Sequence, residues 1–208
     1  MLALFNVFRV FLWLAIIAVV FIWTKKSAVK KRGLIISLVA LLSFALITVA
    51  SVFPIENLFI SFQSPENVFN YAENGEVDEV IYGKESCMVI YSNDKNTRAP
   101  YFTPKKEKGY KIPSYFGIKR ISQKFDQDGL FNVYHVLGTD DYYIVGFANA
   151  DSLRVDIYSG DNVLVANTKV ITIKSDSNSI RFYSYIENFT TEYYLLIDGK
   201  RVHITNVG

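Results

Sequence analysis

The sequence predicts a membrane-anchored α+β protein. A two-helix transmembrane hairpin is followed by a mainly antiparallel β-domain, sandwich or open barrel, with one short helix. Three observations carry this. Two apolar runs, 2–23 and 33–53, flank a basic stretch at 24–32. All 20 acidic residues lie beyond position 54. After position 75, β-branched and aromatic runs alternate with clusters of turn formers.

Each apolar run is about the 20 residues that a helix needs to cross roughly 30 Å of hydrocarbon. The stretch between them holds Lys25, Lys26, Lys30, Lys31 and Arg32 with no acid. An excess of cations on short loops marks the cytoplasmic side. The expected domains are therefore a hairpin over 1–54, with a cytoplasmic loop at 24–32, and an extracytoplasmic β-rich domain over 55–208. That places the chain as a multi-pass protein of the cell membrane, with the lipid bilayer as its first partner. A signal peptide is the rival reading of the second run. The run is long for such a segment and a whole apolar run precedes it, so both helices are expected to be retained.

Within the hairpin, Gly33, Ser37, Ala40, Ser43 and Ser51 recur near one face of the second helix. Small residues there let the first helix approach closely. Arg9 lies within the first run, about 21 Å from Trp23 at 1.5 Å per residue. Asn6 precedes it by one turn on the same face. At that depth Arg9 is expected to snorkel to the outer headgroups. Asn6 and Arg9 are also the residues that would meet another membrane protein inside the bilayer.

Beyond position 54, Ser64, Pro65 and Glu66 supply a cap, a first-turn proline and a first-turn acid for a short helix. Its apolar side is Val68, Phe69 and Ala72, and Gly75 is placed to end it. Strands follow at 76–82 and 87–91 around a turn at 83–86. A second group is expected at 131–137, 142–147, 153–158, 163–166, 169–174, 180–186, 192–197 and 201–205. Asp198-Gly199 is a hairpin signal, because a type I′ turn needs positive φ at both central residues. Val202 and Ile204 alternate with polar neighbours and are expected to be buried.

The formal net charge of +2 averages two unlike parts. With 6 of the 22 basic residues before position 54, the remainder stands near −4, which gives no electrostatic case for nucleic acid. The exception is the segment 105–124. It carries Lys105, Lys106, Lys108, Lys111, Lys119, Arg120 and Lys124 against Glu107 alone, with Tyr110, Tyr115 and Phe116 interleaved. Cations mixed with aromatics suit an anionic lipid surface or an acidic polymer. A solvated loop has the same composition.

Nothing in the sequence marks catalysis. His135 and His203 each stand alone, and Cys87 is the single cysteine, so no zinc cluster and no internal disulfide is expected. Asp126-Gln127-Asp128-Gly129 lacks the later ligands of a calcium loop and reads as a turn, as does Asp140-Asp141. No cofactor is expected. The Lys-, Asn- and Ile-rich composition suggests an AT-rich bacterial coding sequence. The expected function is a non-catalytic, membrane-anchored envelope protein. Its outer β-domain would bind or modulate a membrane protein, a peptide or a wall polymer. The alternative is an envelope hydrolase or transferase with an active site that no motif marks.

Overall fold

The structure is a computed structural model and describes residues 4–26, 31–93, 98–126, 129–149, 155–165, 171–174, 179–190, 192–197 and 199–204. Helix α1 spans Leu4–Lys26 and α2 spans Arg32–Val52. Both extend into the stretch expected to be a loop, since Thr24–Lys26 complete α1 and Arg32 opens α2. Lys25 and Lys26 sit in the last turn of α1, where cations favour the negative end of the helix dipole. The two helices pack together. From Arg9 onward the covered residues of α1 form one narrow stripe, Arg9, Trp13, Ile17, Val20 and Thr24, at spacings of three and four. The matching face of α2 is Ile36, Val39, Ala40, Ser43 and Ile47. Ala40 and Ser43 were expected there, but Gly33 and Ser37 are exposed instead.

Among the described residues, no helix is long and apolar enough to cross a membrane. This overturns the expected transmembrane hairpin. With it go the multi-pass placement in the cell membrane, the cytoplasmic loop and the assignment of the β-domain to the outer side. Charge gives a reason in α1, which carries Arg9, Lys25 and Lys26 within its 23 residues. What the helices do show is large apolar side chains open on their outer sides, among them Phe11, Val19, Leu41 and Phe44.

A 3₁₀ turn at Ile55–Leu58 leads to α3, Pro65–Ala72. Ser64 Oγ accepts from Asn67 N at 3.3 Å, and Pro65 occupies the first turn, where its missing N–H costs nothing. Val68 and Phe69 are fully buried against the first sheet.

That sheet is antiparallel, in the order β1–β2–β3–β4, from β1 (Glu76–Tyr82), β2 (Ser86–Ser92), β3 (Arg98–Lys106) and β4 (Gly109–Tyr110). Strand β3 is absent from the sequence expectation. Its Pro100 and Pro104 are tolerated because only the two-residue β4 pairs with its far side, leaving it almost an edge strand. A second sheet runs β5–β6–β7–β10–β9. Its strands are β5 (Ile118–Asp126), β6 (Gly129–Val136), β7 (Asp141–Asn149), β9 (Ile171–Lys174) and β10 (Ser179–Glu187). The third joins β8 (Val155–Tyr158), β11 (Tyr194–Ile197) and β12 (Lys200–His203).

The β-rich domain is mostly antiparallel, as expected, and its middle sheet is covered on both faces, by the first sheet on one and the third on the other. Strand alternation produces this. On one face Tyr143, Tyr183 and Val136 meet Ile81, Met88, Ile90 and Phe102 of the first sheet. On the other, Phe131, Val133, Ile144, Phe182 and Ile186 meet Ile157, Leu195 and Ile204. Ile204 is buried as expected, while Val202 is half-buried against the same cluster. Of the expected strand at 163–166, the described residues 163–165 show one bridge, Leu164 with Tyr158, and residue 166 lies outside the described residues. Residue 198 of the expected type I′ turn lies outside the described residues.

Candidate functional site

A second exposed apolar feature lies in the segment that follows α2. After α2 ends, the segment 53–60 keeps its apolar side chains outside: Leu58 is 78% exposed and Phe59 85%. The connector from β4 to β5 comes alongside. Tyr115 N donates to Val52 O at 3.0 Å, and the Phe53 and Phe116 rings lie 6.4 Å apart. Tyr115 is 77% exposed and Phe116 61%. Asn57 locks the two segments together, its Nδ2 donating to Ile112 O at 2.7 Å and its Oδ1 accepting from Ile112 N at 2.9 Å. Lys111 Nζ donates to Asn57 O and Ile60 O, both at 2.7 Å. The result is a fixed belt of Phe53, Leu58, Phe59, Tyr115 and Phe116, held by polar contacts beneath it.

The turn between β3 and β4 brings Lys105, Lys106 and Lys108 to this belt. Phe62 and Tyr110 exchange backbone hydrogen bonds of 3.0 and 2.8 Å, which sets the turn beside the end of the 53–60 segment. Gly109 is required there. Its φ is +121°, and a Cβ would stand 2.4 Å from Phe62 O.

The basic segment expected as one surface is therefore divided. Lys105, Lys106, Lys108, Tyr115 and Phe116 are exposed around the belt. Lys111 is half-buried and spends its protons on carbonyls. Tyr110 is half-buried and turned to Cys87; burial, then the Cys87 sulfur beside it, pushes its hydroxyl up to about 12. Lys119 and Arg120 belong to β5, not to a loop, and successive positions there face opposite sides of the sheet, across from His135 and Tyr134. The side chain of Lys124 lies outside the described residues. Leu58 and Phe59 were not singled out in the sequence. The signal lies in the apolar residues of Leu58-Phe59-Ile60, a few positions past Pro54.

Arg9 is placed against the same chain. Its Nε and Nη2 donate to the Glu56 carboxylate at 3.1 and 3.2 Å, with Arg9 5% and Glu56 3% exposed. This two-pronged pair ties α1 to the 3₁₀ turn under the belt. The Asn6 side chain lies outside the described residues.

A second polar cluster was hidden in the sequence, where Asp141 reads as part of a turn. Asp141 opens β7 and is fully buried. Its Oδ1 accepts from Tyr185 OH at 2.9 Å and Lys84 N at 3.2 Å; its Oδ2 accepts from Ser86 Oγ at 2.6 Å and Glu85 N at 2.8 Å. Since Ser86 gives its only proton to the carboxylate, Tyr143 OH donates to Ser86 Oγ across their 2.9 Å contact. The turn at 83–86 is thereby pinned to the middle sheet. Gly83 permits the approach, for a Cβ would lie 2.5 Å from Tyr143 OH and 2.7 Å from Asp141 Oδ2. Burial pushes the hydroxyls of Tyr143 and Tyr185 well above the usual tyrosine range. A serine, an aspartate and two tyrosines are the makings of acid–base chemistry. Here every carboxylate lone-pair direction is taken and the serine proton is committed, so the cluster works as a clamp between layers.

Other groups follow the same pattern. Cys87 is buried, and loss of solvation pushes its thiol up to about 11, far from a reactive thiolate. His135 Nε2 lies 2.8 Å from Thr139 O, and its ring stacks on Tyr142. Among the described residues, no group of three or more His, Cys, Asp or Glu could hold a metal ion. Comparison with protein-family models, with curated proteins and with solved structures gave no match.

Proposed function

We propose that this chain is a non-catalytic binding protein whose β-domain presents the belt of Phe53, Leu58, Phe59, Tyr115 and Phe116 to a partner. One observation carries the reading. Aromatic side chains stand open on segments that are themselves fixed by Asn57, Ile112 and Lys111. Rigid, exposed aromatics lose little conformational entropy on binding and dominate contact energies when covered. Among the described residues, the Asp141 cluster commits its carboxylate and its serine proton inside the fold, which weighs against the hydrolase or transferase reading.

The test is photocrosslinking from Phe59 and Phe116 in the full chain expressed in its own host, with Leu137 as an exposed reference position. Discrete adducts from the two belt positions, absent from Leu137, are the expected result. Turnover of a substrate that is abolished by Asp141→Asn at unchanged folding would contradict it.

A further inference from the structure

We infer that the belt docks on an anionic lipid surface, lying against it rather than passing through it. The inference rests on the belt being a binding surface and names what it binds. The apolar part is wide and flat in chemistry, with Leu58, Phe59, Tyr115 and Phe116 all well exposed and belonging to two separate segments. Aromatic residues of this kind are favoured at the boundary between headgroups and acyl chains.

The charge beside it is of the complementary sign. Lys105, Lys106 and Lys108 are exposed in one turn, and Lys111 adds a fourth cation beneath the belt. Against them stand Glu107 in the same turn and Glu85, whose carbonyl accepts from Lys105 N. Glu66 is close enough to act on Tyr110, the β4 partner of Lys105, while Glu56 is already paired with Arg9. Since the chain beyond position 54 is acidic as a whole, an anionic surface would repel most of the β-domain and attract this edge, which orients the molecule. A protein groove would supply the apolar cover without asking for the lysines. Lipid headgroups account for both, at about fivefold in partition for each cation near the surface.

The experiment attaches an environment-sensitive dye to Phe116→Cys in the full chain, and separately to Val163→Cys in the loop after β8 as a reference. Cys87, buried and with its thiol pushed up to about 11, leaves the introduced cysteine as the reactive one. Vesicles of phosphatidylcholine alone, vesicles with added phosphatidylglycerol, and soluble polyphosphate are compared at low and high salt. The expected result is a blue shift at 116 with the anionic vesicles only, reversed by salt and absent at 163. Lys105→Gln, Lys106→Gln and Lys108→Gln together should weaken it at least about tenfold, with an unchanged circular dichroism spectrum. Equal shifts on neutral and anionic vesicles, the same shift with polyphosphate, or no shift at 116 would each overturn the inference. If no shift accompanies a discrete protein adduct from positions 59 and 116, the lipid inference falls while the binding role stands.

Discussion

In the middle sheet of the β-domain, Tyr143 points into one buried cluster and Ile144 into another, because both faces are covered by further sheets. In α1, the residues from Arg9 to Thr24 are covered along one stripe, and Phe11, Val19 and Phe21 on the other sides are open. The helices are the more apolar of the two regions, and the two treat their apolar side chains in opposite ways. The middle sheet takes Tyr143, Phe182 and Tyr183 inside together with the Asp141 clamp. The helix pair and the belt leave theirs outside, held in place by a few buried polar contacts. Burial is therefore concentrated in the sheets, while exposed apolar surface lies on the helix pair and where α2 ends. Three of those polar contacts, Arg9 with Glu56, Asn57 with Ile112 and Lys111 with Ile60, join the regions.

The largest effect should come from breaking the link. Glu56→Gln leaves the Arg9 guanidinium buried without its counter-charge and should cost about 3–5 kcal/mol, read in a denaturant titration that follows docking of α1. The double variant Arg9→Leu, Glu56→Leu should recover most of that loss, since apolar residues of similar volume remove both desolvation penalties. A cost below about half a kcal/mol for Glu56→Gln would show that the helix pair is not held through this contact.

A smaller effect distinguishes the regions by pH. Cys87 and Tyr110 have folded-state values raised from 9.0 to about 11 and from 10.0 to about 12. Each therefore contributes stability that is present below its unfolded value and is lost as pH rises through its folded one. Burial raises Tyr101, Tyr143 and Tyr185 in the same direction. Denaturation midpoints of the β-domain should fall between about pH 9 and pH 12, and Cys87→Ala should flatten the lower part of that fall. A midpoint that is constant to pH 12 would contradict the burial of these groups.

How much of this was legible in the sequence depended on the distance over which the cause acts. Strand β1 was read at its observed bounds, 76–82, because alternation and the following turn are local. The cap of α3 by Ser64 was equally local. Strand β3 was missed because Pro100 and Pro104 argue against a strand until its near-edge position is known. Strand β5 was missed because Lys119, Arg120 and Lys124 make it look like a solvated loop, whereas pairing with β6 decides its conformation. Asp141 could not be separated from its neighbour Asp140, since its donors come from 84–86 and 185, far along the chain. The helix pair failed in another way. Composition suggested two membrane spans, but Arg9 is engaged by Glu56, Lys25 and Lys26 are inside α1, and no described helix meets the length and apolarity a crossing requires.

The division of labour is tested most directly by comparing two variants in the same pair of assays, stability by denaturation and binding by crosslinking from position 116 or, in the belt variant, from position 53. Asp141→Asn should lower stability by about 2–4 kcal/mol, because it places an amide among buried donors, and leave the crosslinking yield per folded molecule unchanged. Phe59→Ser with Tyr115→Ser should do the reverse, changing stability by about half a kcal/mol or less, as exposed sites do, while the adduct is lost. If Asp141→Asn abolished binding at full stability, or the belt variant unfolded the domain with binding per folded molecule intact, the assignment of clamp and surface would be wrong.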